Sequence, residues 1–215
     1  MKTITNILKL SIVMIVTQTL FADDGKYVET MKKNIDLLYA STSISELQAS
    51  VNMMERIAGA EKSKWEPHYY AAFGYILMAD KENDGTKKDG YLDQAAAAIE
   101  AAKAINSKES EIVALEGFVQ MIRVSVDPAT RGPQFAPMAM QSFGKAIAMN
   151  GENPRPHALL AQMQFGTARF FGSATTEACA TLNSALEKYE TYKSENPLAP
   201  RWGREMTEGL RKQCH

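Results

Sequence analysis

The chain has 215 residues, 24 Lys+Arg against 25 Asp+Glu, and a formal charge of −1 at pH 7. That balance excludes the clustered basic surface that nucleic acid demands. Hydrophobic residues make up 45%, enough to bury a sizeable core in one domain.

At the N-terminus, Lys2 and Lys9 precede the apolar run Leu10–Val16, which is too short to span a bilayer as a finished helix. Polar Thr17, Gln18 and Thr19 interrupt it, and Leu20-Phe21-Ala22 then places a small residue before Asp23-Asp24. This predicts a Sec-type signal peptide over residues 1–22 and a mature domain over 23–215, periplasmic or secreted. No cysteine follows the cleavage point, so no lipobox is present, and the mature chain is expected not to be membrane-embedded. Cleavage leaves 193 residues with a formal charge of −3.

Beyond this segment strand signals are nearly absent, Val124-Ser-Val126 being the one short β-branched run. Apolar residues recur instead at helical spacing. Four segments repeat a pattern with steps of 4, 3 and 3: Leu47/Val51/Met54/Ile57, Ala95/Ile99/Ala102/Ile105, Ala139/Phe143/Ala146/Met149 and Ala178/Leu182/Ala185/Lys188. Those steps put each set on one helical stripe, with small residues where a neighbouring helix must come close. Three of the stripes are preceded by a second kind of helix, carrying Tyr70/Phe73/Gly74/Leu77, Val113/Glu116/Gly117/Gln120 and His157/Leu160/Ala161/Gln164.

Together the two patterns resemble the A and B helices of the tetratricopeptide repeat (TPR). The resemblance implies an all-α, TPR-like α-α superhelix of three to four helix pairs with a C-terminal capping helix. One departure is consistent. The steps from Gly74 to Ala95, Gly117 to Ala139 and Ala161 to Ala178 are 21, 22 and 17 residues, longer than the standard motif, and the excess falls within each A–B turn. At finer grain, Glu55-Arg-Ile, Ala60-Glu-Lys, Trp65-x-Pro-x-Tyr-Tyr70, Ser125-Val-Asp-Pro-x-x-Arg-Gly132, Asn153-Pro-Arg-Pro156 and Trp202-Gly203 resemble an exported helical-repeat family common in Bacteroidetes. That resemblance implies fold and compartment but no biochemical activity.

Two surfaces are candidate sites. The enlarged turns, Asp80–Gly90, Ser125–Pro137 and Arg169–Thr176, are expected as loops along one edge. There Arg131, Arg169 and Phe170, with Asp127 and Phe135, either form a recognition edge or cap helices and pair locally. The concave face is expected to be lined from the A helices: His68, Tyr75 and Met78, then Glu111, Phe118 and Met121, then Arg155, Gln162 and Phe165. Methionines and aromatics suit adaptable peptide binding, unless the terminal helix Arg201–Cys214 folds back and fills the groove. Ala71, Tyr75 and Met78 stand where relatives that clamp a C-terminal carboxylate would carry polar residues.

Cys179 and Cys214 form an even pair in an exported chain and predict a disulfide. It would be worth about 3–4 kcal/mol on the chain-entropy model. A metal site of Cys214 with His215 is the alternative, though two soft ligands without a second spaced pair are a weak signal. The run Asp80-x-Glu82-x-Asp84-Gly85 begins like a calcium loop but has Tyr91 at its twelfth position, so it reads as a solvated turn. Trp65 and Trp202 could line a sugar site or pack at helix junctions. No phosphate loop, nucleophile elbow or zinc-protease motif is present. The sequence therefore predicts a non-catalytic envelope scaffold, without cofactor or metal, binding a protein or peptide partner. The alternative is an envelope protein that captures a small molecule or metal.

Overall fold

The computed structural model describes residues 24–214; the segment read as a signal peptide, 1–22, lies outside the described residues, as does His215. A first helix, α1, runs through 24–40. It is followed by α2 (Ile44–Ala60), α3 (Glu66–Lys81), α4 (Gly85–Ile105), α5 (Ser110–Val126), α6 (Pro128–Met149), α7 (Pro154–Phe171), α8 (Thr176–Thr191) and α9 (Arg204–Leu210). A 3-10 turn, Arg211–Gln213, ends the described chain, and no strand occurs among the described residues.

The repeat pattern becomes four antiparallel pairs: α1–α2, α3–α4, α5–α6 and α7–α8. In every B helix the first three positions of the stripe are buried: Leu47/Val51/Met54, Ala95/Ile99/Ala102, Ala139/Phe143/Ala146 and Ala178/Leu182/Ala185. Alanine at the alternating positions lets helices touch at backbone distance. The same logic requires Gly117 on α5, where any Cβ would collide with the Phe143 ring of α6. The fold is therefore the TPR-like superhelix expected, at the upper end of three to four pairs.

Local chemistry sets the helix starts. Ser43 Oγ accepts from Glu46 N while the Glu46 carboxylate accepts from the backbone of Thr42 and Ser43, a capping box at α2. Those backbone donors hold the Glu46 carboxyl down at about 2. Asp84, Asp127 and Asn153 cap α4, α6 and α7 through Lys87 N, Thr130 N and Arg155 N.

These caps overturn the expected loop edge. In two of the three enlarged repeats the extra residues lengthen helices, α4 reaching 21 residues and α6 reaching 22 against 17 for α2, while the third keeps a short turn at 172–175. Only Asp127 separates α5 from α6. Pro128 at the first position of α6 has a backbone already set for helix and needs no N–H there. Pro133 and Pro137, which read as turn formers, lie inside α6 and each remove one backbone bond. Burial of Ala139, Phe143 and Ala146 on the same helix outweighs that loss.

The core divides unequally. One large cluster runs from α1 to α7 and takes in Leu198 from beyond α8. A small satellite joins α7 and α8 through Ala161, Phe165, Ala178, Leu182 and Leu186. Against this satellite lies the disulfide Cys179–Cys214, with a Cα–Cα separation of 5.6 Å. It ties the C-terminus to α8, where the apolar core is thinnest.

Candidate functional site

The face formed by the A helices is covered by the chain itself. After α8 an extended strap, 192–203, crosses α7, α5, α3 and α1. Its two apolar anchors are Leu198, which is buried, and Trp202, whose ring stacks on Phe73 at 4.9 Å and on Phe118 at 5.8 Å. The Trp202 indole N–H donates to Tyr69 Oη at 3.0 Å, and Tyr70 Oη donates to the Leu198 carbonyl at 2.6 Å. The Arg201 amide donates to Tyr39 Oη on α1 at 3.1 Å. Gly203 ends the strap at φ 104°, a conformation that disfavours any side chain, with Tyr189 packed where a Cβ would stand.

Beneath the strap sits a charged knot. Arg155, at the start of α7, is buried and pairs with buried Glu111 of α5 at 2.8 Å. The guanidinium also donates to the Pro200 carbonyl and lies over the Trp202 ring at 5.6 Å. Tyr69 Oη donates to the second Glu111 oxygen at 3.3 Å. Burial pushes the Glu111 carboxyl up, and the Arg155 charge opposes that shift. Such a knot specifies where the strap lies.

The residues read from sequence as a concave lining divide accordingly. Arg155 and Phe118 meet under Trp202. Met78 and Met121 are core, and Phe165 belongs to the α7–α8 satellite. Gln162 is half-buried on α7. Tyr75 does not share the face of Phe118: its hydroxyl donates to Glu55 Oε1 on α2 at 2.7 Å, and burial and that carboxylate push it up to about 12. Of the turn residues, Arg131 makes a two-pronged pair with Asp89 at 2.7 Å on both oxygens. Asp127 caps α6, and Phe135 lies near Arg123 at 5.9 Å. Arg169 donates to Gln213 at 2.9 Å, while Phe170 and Phe171 end α7 exposed at 57% and 74%.

A different surface is open. Helices α2 and α4 flank a groove of about 570 Å³ with α3 as its floor. Ligand clefts commonly span roughly 300–1,000 Å³. Small residues line this one: Ala58 and Gly59 from α2, Ala71 from α3, and Ala97, Ala98 and Ala101 from α4. Polar groups are almost as numerous: Glu55, Lys62, His68, Tyr75 and Gln94. Burial pushes the His68 imidazole down, and the Glu55 charge opposes that shift. The clue in sequence was the run Ala95–Ala98 with Ala101 and Ala102. It exceeds what one buried stripe needs, and Ala97, Ala98 and Ala101 remain on a second, accessible stripe.

These features define a TPR-like helix-pair protein with a self-covered inner face and an open outer groove. The chain matches no family model and no curated protein sequence. Among solved structures it is similar to the HusA haemophore from Porphyromonas gingivalis, with a TM-score of 0.78 and 24% identity over 87% of this chain and 92% of that one. A thermophilic TPR protein of Thermus thermophilus aligns with a TM-score of 0.45 and 17% identity, over 85% of this chain and 97% of that one. The haemophore likeness shows a common fold along nearly the whole described chain.

Proposed function

We propose that the protein captures a small, flat, largely apolar ligand of the haem class in the groove between α2 and α4. The observation that carries this reading is the groove's alanine wall, Ala97, Ala98 and Ala101 on α4, facing Ala58 and Gly59 on α2 across the polar groups of the rim. Burying a flat apolar face is favourable in proportion to the area removed from water, and small side chains leave room for it. The haemophore with the same fold supports the choice of ligand class. Peptide binding on the A-helix face is the weaker reading, because Leu198 and Trp202 already fill it. The compartment we propose is the periplasm or the exterior. The disulfide suits an oxidising environment, and no helix among the described residues is long and apolar enough to cross a membrane. The mechanism is reversible capture, with no reaction step.

The test is titration of haemin and of metal-free protoporphyrin IX into the mature protein, read by ligand absorbance and by thermal midpoint. Saturable one-to-one binding is expected, weakened roughly tenfold or more by Ala97→Trp, which fills the groove from an exposed position. A folded wild-type protein that binds neither compound at micromolar concentration sinks the proposal.

A further inference from the structure

The groove's polar rim is not uniform, and its differences point to how a ligand would be held. His68 lies near the start of α3 and shares a helical face with Ala71 and Tyr75, at steps of 3 and 4. It is half-buried against the groove, and among the described residues its ring makes no hydrogen bond. The other described histidine, His157, differs: its Nε2 is tied to the Gly151 carbonyl at 3.0 Å. Tyr75, about two turns further along α3, has its proton committed to Glu55 Oε1 at 2.7 Å. Lys62 stands exposed at the rim and makes no ion pair among the described residues, whereas Lys64 nearby is bound to Asp24 at 2.8 Å.

We infer that His68 is a metal ligand, its imidazole nitrogen binding the iron of a haem-class molecule seated against the alanines of α4, with Lys62 receiving one of that molecule's carboxylates. This rests on the capture reading. One imidazole adds a ligand only to a metal that arrives with most of its coordination already filled. Among the described residues no group of three or more His, Cys, Asp or Glu is placed to hold a bare ion. A metalloporphyrin brings four nitrogens of its own and leaves an axial position for a histidine. Glu55 is the opposing charge in the groove. With one oxygen bound to Tyr75, it disfavours a ligand carboxylate at that end and favours an orientation with carboxylates toward Lys62.

The experiment compares haemin with metal-free protoporphyrin IX on the wild type, His68→Ala and Lys62→Glu. The wild type should give the haemin spectrum of a nitrogen-ligated ferric iron. In His68→Ala that signature should vanish, the affinity ratio of haemin to protoporphyrin should fall about tenfold or more, and added free imidazole should restore the spectrum. Lys62→Glu should weaken both compounds alike. If His68→Ala keeps the wild-type spectrum and ratio, the ligand assignment is overturned while capture stands. If the wild type binds neither compound, both fall together. Circular dichroism of each variant confirms that the half-buried substitution leaves the helices intact.

Discussion

The inner and outer faces of this superhelix are made from the same four helix pairs and end in opposite states. On the inner face the A helices present large aromatics, and a buried Arg155–Glu111 pair fixes a strap across them. On the outer face between α2 and α4 the lining is half small residues, alanines and Gly59, and half polar groups, and no segment of the described chain lies across the groove. Aromatic stacking that would suit a ligand is thus consumed by Trp202, while the poorer-looking alanine surface stays accessible. A repeat protein's binding face cannot be assigned from where its aromatics are. What counts is which face the chain leaves to solvent.

Substitutions can break this contrast, and the largest effect is expected at the knot. Arg155→Met leaves Glu111 buried without its cation and should cost about 3–5 kcal/mol at neutral pH. Glu111 then titrates higher in the folded than in the unfolded chain. Stability should therefore be recovered below the ordinary carboxylate range and lost as pH rises through the raised value. Urea denaturation of Arg155→Met at pH 5 and pH 7 measures this, and a variant equally stable at both contradicts the unpaired-carboxylate account. Removing the disulfide by Cys179→Ala/Cys214→Ala should cost about 2–5 kcal/mol. The loss should fall first on α8 and the C-terminal turn, where the satellite core is small; hydrogen exchange of α8 against α3 reads it. Trp202→Ala should cost about 2–4 kcal/mol by emptying the stack on Phe73 and Phe118. Gly117→Ala should cost about 1–3 kcal/mol by pushing the Phe143 ring from its seat. Ala97→Trp, on the exposed stripe of α4, should change the unfolding midpoint little, within about 0.5 kcal/mol, yet block the outer groove.

Much of the architecture was legible because it is periodic. The buried stripes of all four B helices and the Cys179–Cys214 pair follow from spacing and chemical type. The expected loop edge failed where local signals compete. Pro133 and Pro137 look like turn formers, but capping by Asp127 and burial on α6 carry the helix through them. The strap was harder to read because it has no period. Leu198 and Trp202 are single apolar residues in a polar stretch, and their partners Tyr70, Phe73 and Phe118 lie far back in the chain. Assigning the lining by equivalent positions also failed, since Tyr75 and Phe118 hold the same place in their repeats yet point to opposite faces. His68 stood among the residues read as groove-lining, but its groove is the outer one.

The most direct test of the outer groove as the ligand seat is a footprint of the bound ligand, read residue by residue. Amide chemical-shift changes on adding gallium protoporphyrin, which is diamagnetic, should concentrate at Ala58–Lys62, His68–Tyr75 and Gln94–Ala101. Changes centred instead on Leu198–Gly203 and Phe118 would put the ligand under the strap and contradict the account.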